Sequence, residues 1–175
     1  ASDVYKRQVI EVRKIGVKVE IPDEVMSNMA RYEQLPAENE KGGILLGMYD
    51  KDNQYYQITD FTVPTEHDNS GPSHFVRNKD VAQKEINRQW MESDGLVNYL
   101  GEWHTHAQVN PKPSIVDLSL LRQIIKDHSS LWPHLLMLIL GQAGSAILIV
   151  VEQKRKRRMQ FKVEVNFSNA GVCNR

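Results

Sequence analysis

The sequence predicts an α+β (α/β) protein, a β-sheet flanked by helices, and two recurring patterns predict it. Stretches rich in Val and Ile alternate apolar with polar residues, as half-buried strands do; Val17 to Ile21 (VKVEI) is the plainest. Other stretches space their apolar residues by three and four and follow a helix-start signal. The chain has 175 residues, and that length predicts a single domain over residues 1–175 with one substantial core.

Val4 to Lys14 and Ile15 to Ile21 read as the first two strands. Pro22 and Asp23 then open a helix in which Val25, Met26, Met29 and Tyr32 share a side, and Pro36 ends it. The methionines are core packing. Gly43 to Tyr49 and Tyr55 to Val63 form a hairpin across the turn at Asp50 to Asn53. Pro64 to Ser73 (PTEHDNSGPS) is the most turn-rich segment and predicts a mobile surface loop. An extra zinc ligand is the functional alternative here, but His67, and His74 just after it, have no ligand spacing to a neighbour and read as solvated. A helix from about Asn78 to Ser93 follows, with Val81, Ile86 and Trp90 turned inward and Asp94 and Gly95 ending it. Leu96 to Thr105 is a strand, and Ile115, Leu118, Leu121, Ile124 and Ile125 mark a helix that runs to about His128. Leu135 to Leu140, Ser145 to Gln153 and Met159 to Phe167 close the domain as strands. Leu135 to Val151 holds no charge, but Gly141, Gln142, Gly144 and Ser145 interrupt it. It falls short of the roughly 20 apolar residues that cross a bilayer, so it reads as two buried strands about a GQAG turn. Lys154 to Arg158 (KRKRR) reads as a solvated hairpin tip, with docking of an acidic partner surface as its functional alternative. The tail after Phe167 reads as a frayed end.

Lys plus Arg and Asp plus Glu number 22 each, so no overall field argues for nucleic acid or a membrane. The one cysteine, Cys173, cannot form an internal disulfide and suits a reducing cytoplasm. It also excludes the zinc chemistry of nucleobase deaminases, which need a P-C-x-x-C pair. No basic start followed by an apolar stretch and a cleavage site opens the chain, so no secretory signal is expected. The chain begins on Ala1, as a processed or truncated chain does.

The chemistry is concentrated in Gly101 to Asp117, GEWHTHAQVNPKPSIVD. On a strand, His104 and His106 project from the same face while Trp103 and Thr105 point the other way. A loop containing Pro111 and Pro113 then leads to Ser114 and to Asp117, in the first turn of the next helix. Two imidazoles and a carboxylate, with a fourth position left to water, are the ligand set of a catalytic zinc site. Each piece has a plainer role by itself: Ser114 and Asp117 make a capping box, and a His-x-His pair packs well on a half-buried strand. Their convergence has no purely structural reason. Glu102, two residues before His104, shares its face and is one candidate proton carrier.

H-x-H, seven residues, S-x-x-D resembles the signature of the JAMM (MPN-plus, JAB-type) metallopeptidases. Their upstream E-x-x-G-x-L-x-G segment is matched by Glu40, Gly43, Leu45 and Gly47, and the likeness runs from about Glu40 to Val151. It implies an MPN/JAB fold, a curved mixed sheet flanked by helices with a cytidine-deaminase-like core. It also implies one Zn2+ per chain held by His104, His106 and Asp117. Glu40 would carry the proton and Ser114 would help hold the tetrahedral oxyanion, leaving Glu102 to orient a ligand or loop. The implied substrate is a ubiquitin-like protein or its conjugate, cut after the carrier's last residue, with its tail added as a strand beside the site. GEWHTH is similar to bacterial members encoded in CBASS and related antiphage operons, which implies ubiquitin-activating and ubiquitin-conjugating look-alikes as partners. Trimming of ubiquitin-like sulfur-carrier precursors is one alternative. A non-catalytic MPN scaffold is another, and the intact ligand set and Glu40 argue against it. Ala107 departs from the Pro that many members carry, which touches the loop and substrate fit and leaves the ligands unchanged.

Overall fold

The computed structural model describes residues 7–127, 132–155 and 157–164. β1 (Arg7–Val12) and β2 (Val17–Pro22) pair antiparallel, and alternation along β2 buries Val17, Val19 and Ile21. α1 (Asp23–Ala30) starts directly after Pro22 with Asp23 and Glu24 in its first turn, where the helix dipole favours acids. It stops well before Pro36. The Tyr32 N–H turns back to the Met29 carbonyl at 2.9 Å, and the Gln34 side chain holds the following loop by donating to the Glu38 carbonyl at 2.8 Å.

β3 (Gly42–Asp50) and β4 (Tyr55–Phe61) form the expected hairpin. The turn-rich segment after it carries regular secondary structure rather than forming an irregular loop. β5 (Asn69–Gly71) and β6 (His74–Val76) make a small two-stranded sheet about Pro72 and Ser73. The Asp68 carboxylate ties down its base, accepting from the N–H of Thr65 at 2.6 Å and of Asn78 at 2.7 Å. Asn78 in turn caps α2 (Lys79–Glu92) through the N–H groups of Asp80 and Val81. Trp90 does not turn inward: it is 43% exposed, and Ala82 is the buried residue of this helix. α2 covers only a narrow strip of the sheet, and Trp90 lies beyond it against Gly95.

β7 (Asn98–Thr105), α3 (Ile115–Asp127), β8 (His134–Leu140), β9 (Ser145–Glu152) and β10 (Arg157–Glu164) complete the order. The uncharged stretch is the β8–β9 hairpin, and no described helix is long and apolar enough to cross a membrane. Val4, His128, Lys156, the end of the last expected strand at Phe167 and the tail with Cys173 lie outside the described residues.

Eight strands form one mixed sheet in the order β1-β2-β4-β3-β7-β8-β9-β10, parallel at β2–β4 and β7–β8. Alternation along β8 divides its two faces. Leu136, Leu138 and Leu140 meet the core that α1 closes with Met26 and Met29. Leu135, Met137 and Ile139 meet Leu121 and Ile124 of α3. α2 shares the α3 face, packing Ala82 and Ile86 on Ile44 and Leu46. β3 and β8 are therefore covered on both sides, as their unbroken apolar runs require.

One irregularity sets which way the chemistry-bearing residues point. The β3–β7 register shifts between Leu45 and Leu46, so that Leu45 pairs with Gly101 and Leu46 with Tyr99. The extra residue reverses the alternation, and Leu100 and Trp103 both enter the α1 core while Tyr99 faces α2 and α3. A Cβ on Gly101 would lie 1.8 Å from the Leu136 carbonyl oxygen of β8. Gly101→Ala is therefore expected to cost about 3 kcal/mol or more, because backbone paired in a sheet cannot step aside. Urea unfolding measures it, and an unchanged midpoint would refute the packing described.

Candidate active site

The strand β7 delivers the two histidines. His104 pairs in register with Gly42 and with Ile139, and the His106 N–H extends the ladder to the Leu140 carbonyl at 2.8 Å. Both imidazoles leave the face that α2 and α3 cover, and their Nε2 atoms lie 3.2 Å apart. The first turn of α3 supplies the carboxylate: Asp117 Oδ1 is 3.0 Å from His104 Nε2, and Oδ2 is 3.4 Å from His106 Nε2. The capping box and the convergent site are one structure. Asp117 Oδ2 accepts from the Ser114 N–H at 2.6 Å while Ser114 Oγ accepts from the Asp117 N–H at 3.1 Å, which fixes the carboxylate towards the histidines. The Ser114 hydroxyl hydrogen is not used by that bond.

Glu40 comes from the segment just before β3. Its N–H donates to the Gly71 carbonyl at 2.8 Å, so the β5–β6 hairpin anchors it. Its Oε1 stands 3.8 Å from His106 Nε2, too far for a good hydrogen bond. Gly42 follows it, where a Cβ would meet the Trp103 carbonyl oxygen at 2.5 Å and the Phe75 ring at 2.7 Å.

These groups are all buried, and their charges respond to one another. Burial raises the Glu40 carboxyl above its ordinary value, against the opposing pull of the His104 and His106 imidazoles. Burial alone would also raise Asp117, but its bonds to His104 and His106 hold it well below the usual carboxylate range. Desolvation works to lower His106, and Asp117 and Glu40 overcome it, so the imidazole is raised.

The donor set fits a metal ion. His104 Nε2 and His106 Nε2, 3.2 Å apart, match adjacent corners of a tetrahedron whose edge is about 3.3 Å for bonds of about 2.0–2.1 Å, and the Asp117 carboxylate turns one oxygen to each imidazole, at 3.0 and 3.4 Å. Hydrogens satisfy this cluster poorly. With one on each Nε2, the two N–H groups crowd each other; with one removed, a carboxylate contact loses its donor. A single cation accepts all the lone pairs at once. Glu40, His104 and His106 also present ligand atoms within 4.8 Å of one another, so Glu40 is a second carboxylate within reach.

Glu102 shares the histidines' face but is engaged elsewhere. Arg77 grips it through Nε and a terminal nitrogen at 2.9–3.0 Å, and the Tyr99 hydroxyl donates to it at 2.7 Å. It orients the start of α2 and touches neither histidine's ring nitrogens. His67 is exposed, 3.9 Å from Glu66. His74 lies over Gly71 with Nε2 3.3 Å from Asn69 Oδ1, and its charge reaches Glu40 weakly. The loop after Ala107 is held by hydrogen bonds: the Gln142 N–H donates to the Gln108 carbonyl at 2.8 Å, and the Ser145 hydroxyl donates to the Val109 carbonyl.

Gln34 carries no motif and escapes sequence reasoning, yet it ties these segments together. Fully buried, it donates to the carbonyls of Glu38 and Pro72 at 2.8 and 3.1 Å and accepts from the Thr105 hydroxyl at 3.3 Å. Thr105, between the histidines, accepts from the Lys41 N–H at 3.0 Å. The residues flanking Glu40 are thereby bound to the strand that bears His104. Beside the site, a cleft of about 420 Å³ runs between β6 and α3, with Phe75, Val76, Val116 and Leu120 among its walls.

Residues 22–162 match the family model described as prokaryotic homologs of the JAB domain. A protein of Escherichia coli named CD-NTase/cGAS isopeptidase is 33% identical over 101 residues, which are 57% of this chain and 64% of that protein. A Vibrio cholerae protein of the same name is 32% identical over 126 residues, 71% of this chain and 76% of the relative. A Sinorhizobium fredii protein named probable metalloprotease y4qB is 28% identical over 127 residues, 69% and 73% of the two chains. The chain thus spans just under two thirds of the E. coli relative and about three quarters of the other two.

Proposed function

The chain belongs to the prokaryotic homologs of the JAB domain, and from that membership we propose that it is a zinc-dependent isopeptidase that releases a protein carrier from its conjugates. The observation that carries this reading is the convergence of His104, His106 and Asp117 within 3.0–3.4 Å while the Glu40 carboxylate stands back at 3.8 Å. His104, His106 and Asp117 would hold the ion, Asp117 in preference to Glu40 because it reaches both imidazoles. When bound, zinc supplies Lewis acidity that polarises the scissile carbonyl and acidifies water. Glu40 does the proton work: its buried carboxylate accepts a proton from the attacking water and returns it to the leaving amine nitrogen. Ser114 turns its unused hydroxyl hydrogen towards the oxyanion that forms at the carbonyl. Glu102 is held by Arg77 and Tyr99 and takes no proton.

The relatives' names favour a CD-NTase as the carrier. A ubiquitin-like carrier is the second reading; the outer edge of β6 beside the cleft suits an extended C-terminal tail of either protein. A sulfur-carrier precursor is cut at the same kind of bond and is tested alongside. The experiment presents zinc-loaded protein with a CD-NTase, a ubiquitin-like protein and a sulfur carrier, each joined through its terminal carboxyl to a fluorescent protein. Mass spectrometry should find one carrier released at its natural last residue, at a rate unaffected by iodoacetamide, since no thiol takes part. Failure to release any carrier would refute the isopeptidase reading.

A further inference from the structure

We propose that the cleft between α3 and the edge strand β10 is a docking site for an acidic, amphipathic segment of a partner protein. The cleft encloses about 670 Å³, within the range that accommodates several side chains. Its floor is apolar, with Leu118, Leu121 and Ile125 on successive turns of α3 facing Val151 of β9. Its rim is cationic. Arg122 and Lys126, one turn apart on α3, stand on one side and Arg158 of β10 on the other. Arg158 pairs in register with Val151, so the two side chains leave the sheet on the same face.

The cleft exists because α3 packs on β8 and β9 and stops short of β10, whose Met159 and Phe161 pack on the opposite face. β10 is the last strand of the sheet, so this side of it has no neighbour among the described residues.

Charge decides the occupant. Some cations at the surface are paired with carboxylates, Arg88 with Glu85 and Glu92 and Arg157 with Glu152. At the cleft, no carboxylate lines the walls among the described residues, and the side-chain bond of Arg122 goes to the neutral Ser119 hydroxyl at 3.2 Å. Lys154 and Arg155, exposed at the β9–β10 turn, extend the positive surface. The chain has zero formal net charge, so this surplus is local. The chain's own segments that follow α3 and β10, HSSL at 128–131 and VNFSNAGVCNR at 165–175, contain no Asp or Glu to balance it. An apolar floor inside a cationic rim selects an acidic segment with one apolar side. A nucleic acid would answer the charge and leave the floor unfilled.

The test uses fluorescence anisotropy of the full chain with a labelled helical peptide bearing Leu on one face and Glu on the other. A scrambled peptide of equal composition and a short single-stranded DNA serve as comparisons. The peptide should bind at least about tenfold more tightly than its scrambled form, and the Arg122→Glu/Arg158→Glu variant should lose at least about tenfold in affinity for it. The urea midpoint of the variant establishes that it is folded, and Lys126→Glu alone gives a milder second variant. Equal binding of the two peptides, tighter binding of the DNA, or indifference to folded charge-reversal variants would each overturn the proposal.

Discussion

Glu40→Gln is expected to keep its metal and lose about 100-fold or more in turnover, while Glu102→Gln keeps most of its activity. A carboxamide of the same shape still fills the buried position beside His106 and accepts a hydrogen bond, but it carries no proton to the leaving nitrogen, a task worth roughly 100-fold to 10,000-fold. The two glutamates differ in what holds them. Glu40 meets the site across a 3.8 Å gap with no side chain hydrogen-bonded to its carboxylate among the described residues, and burial raises its affinity for a proton. Glu102 is committed to Arg77 and Tyr99. Its neutralisation should therefore appear in unfolding, at about 1–3 kcal/mol, because the half-buried Arg77 loses its counter-charge. Turnover and metal content of both variants decide the matter. A metal-replete, inactive Glu102→Gln beside a near-normal Glu40→Gln would reverse the two roles.

Removing a candidate ligand should abolish metal binding, and with it activity. His104→Ala and His106→Ala each leave two protein ligands where three are needed, and both proteins should purify with only trace zinc. Asp117 allows a finer test because it does two jobs. Asp117→Asn keeps an oxygen to accept from the Ser114 N–H, so the capping box and the stability it contributes should largely survive. The charge that faces both imidazoles is lost, and the metal with it. Zinc analysis beside thermal unfolding separates the effects. If Asp117→Asn retains a full equivalent of zinc while Glu40→Gln loses it, the third ligand is Glu40.

The local pattern of β7 was legible from the sequence because a strand's alternation is local: Glu102, His104 and His106 fall on one face, Trp103 and Thr105 on the other. The helix start at Ser114 and Asp117 was legible for the same reason. The bulge at Gly101 was not, since it depends on contact with Leu45 and Leu136, residues brought beside it only by the sheet. The match at Glu40, Gly43, Leu45 and Gly47 implied a role for Glu40 only through the resemblance; its placement beside His106 depends on the hold of Gly71 in the β5–β6 hairpin, which the turn-rich composition disguised as a loop. The early end of α1 was hidden likewise, because Pro36 is a strong local stop signal and the capture of the loop by Gln34 is a tertiary event. Trp90 shows the converse error. Its spacing on α2 is that of a buried residue, but the sheet beneath does not extend far enough to cover it.

The most direct measurement strips the protein with a chelator, returns one equivalent of zinc, and follows release of the carrier from its conjugate at each stage. Loss of turnover on stripping and its recovery with the single equivalent, in wild-type protein and not in Glu40→Gln, is the expected result. Stripped protein that remains folded, free of metal and fully active would contradict the assignment of this site.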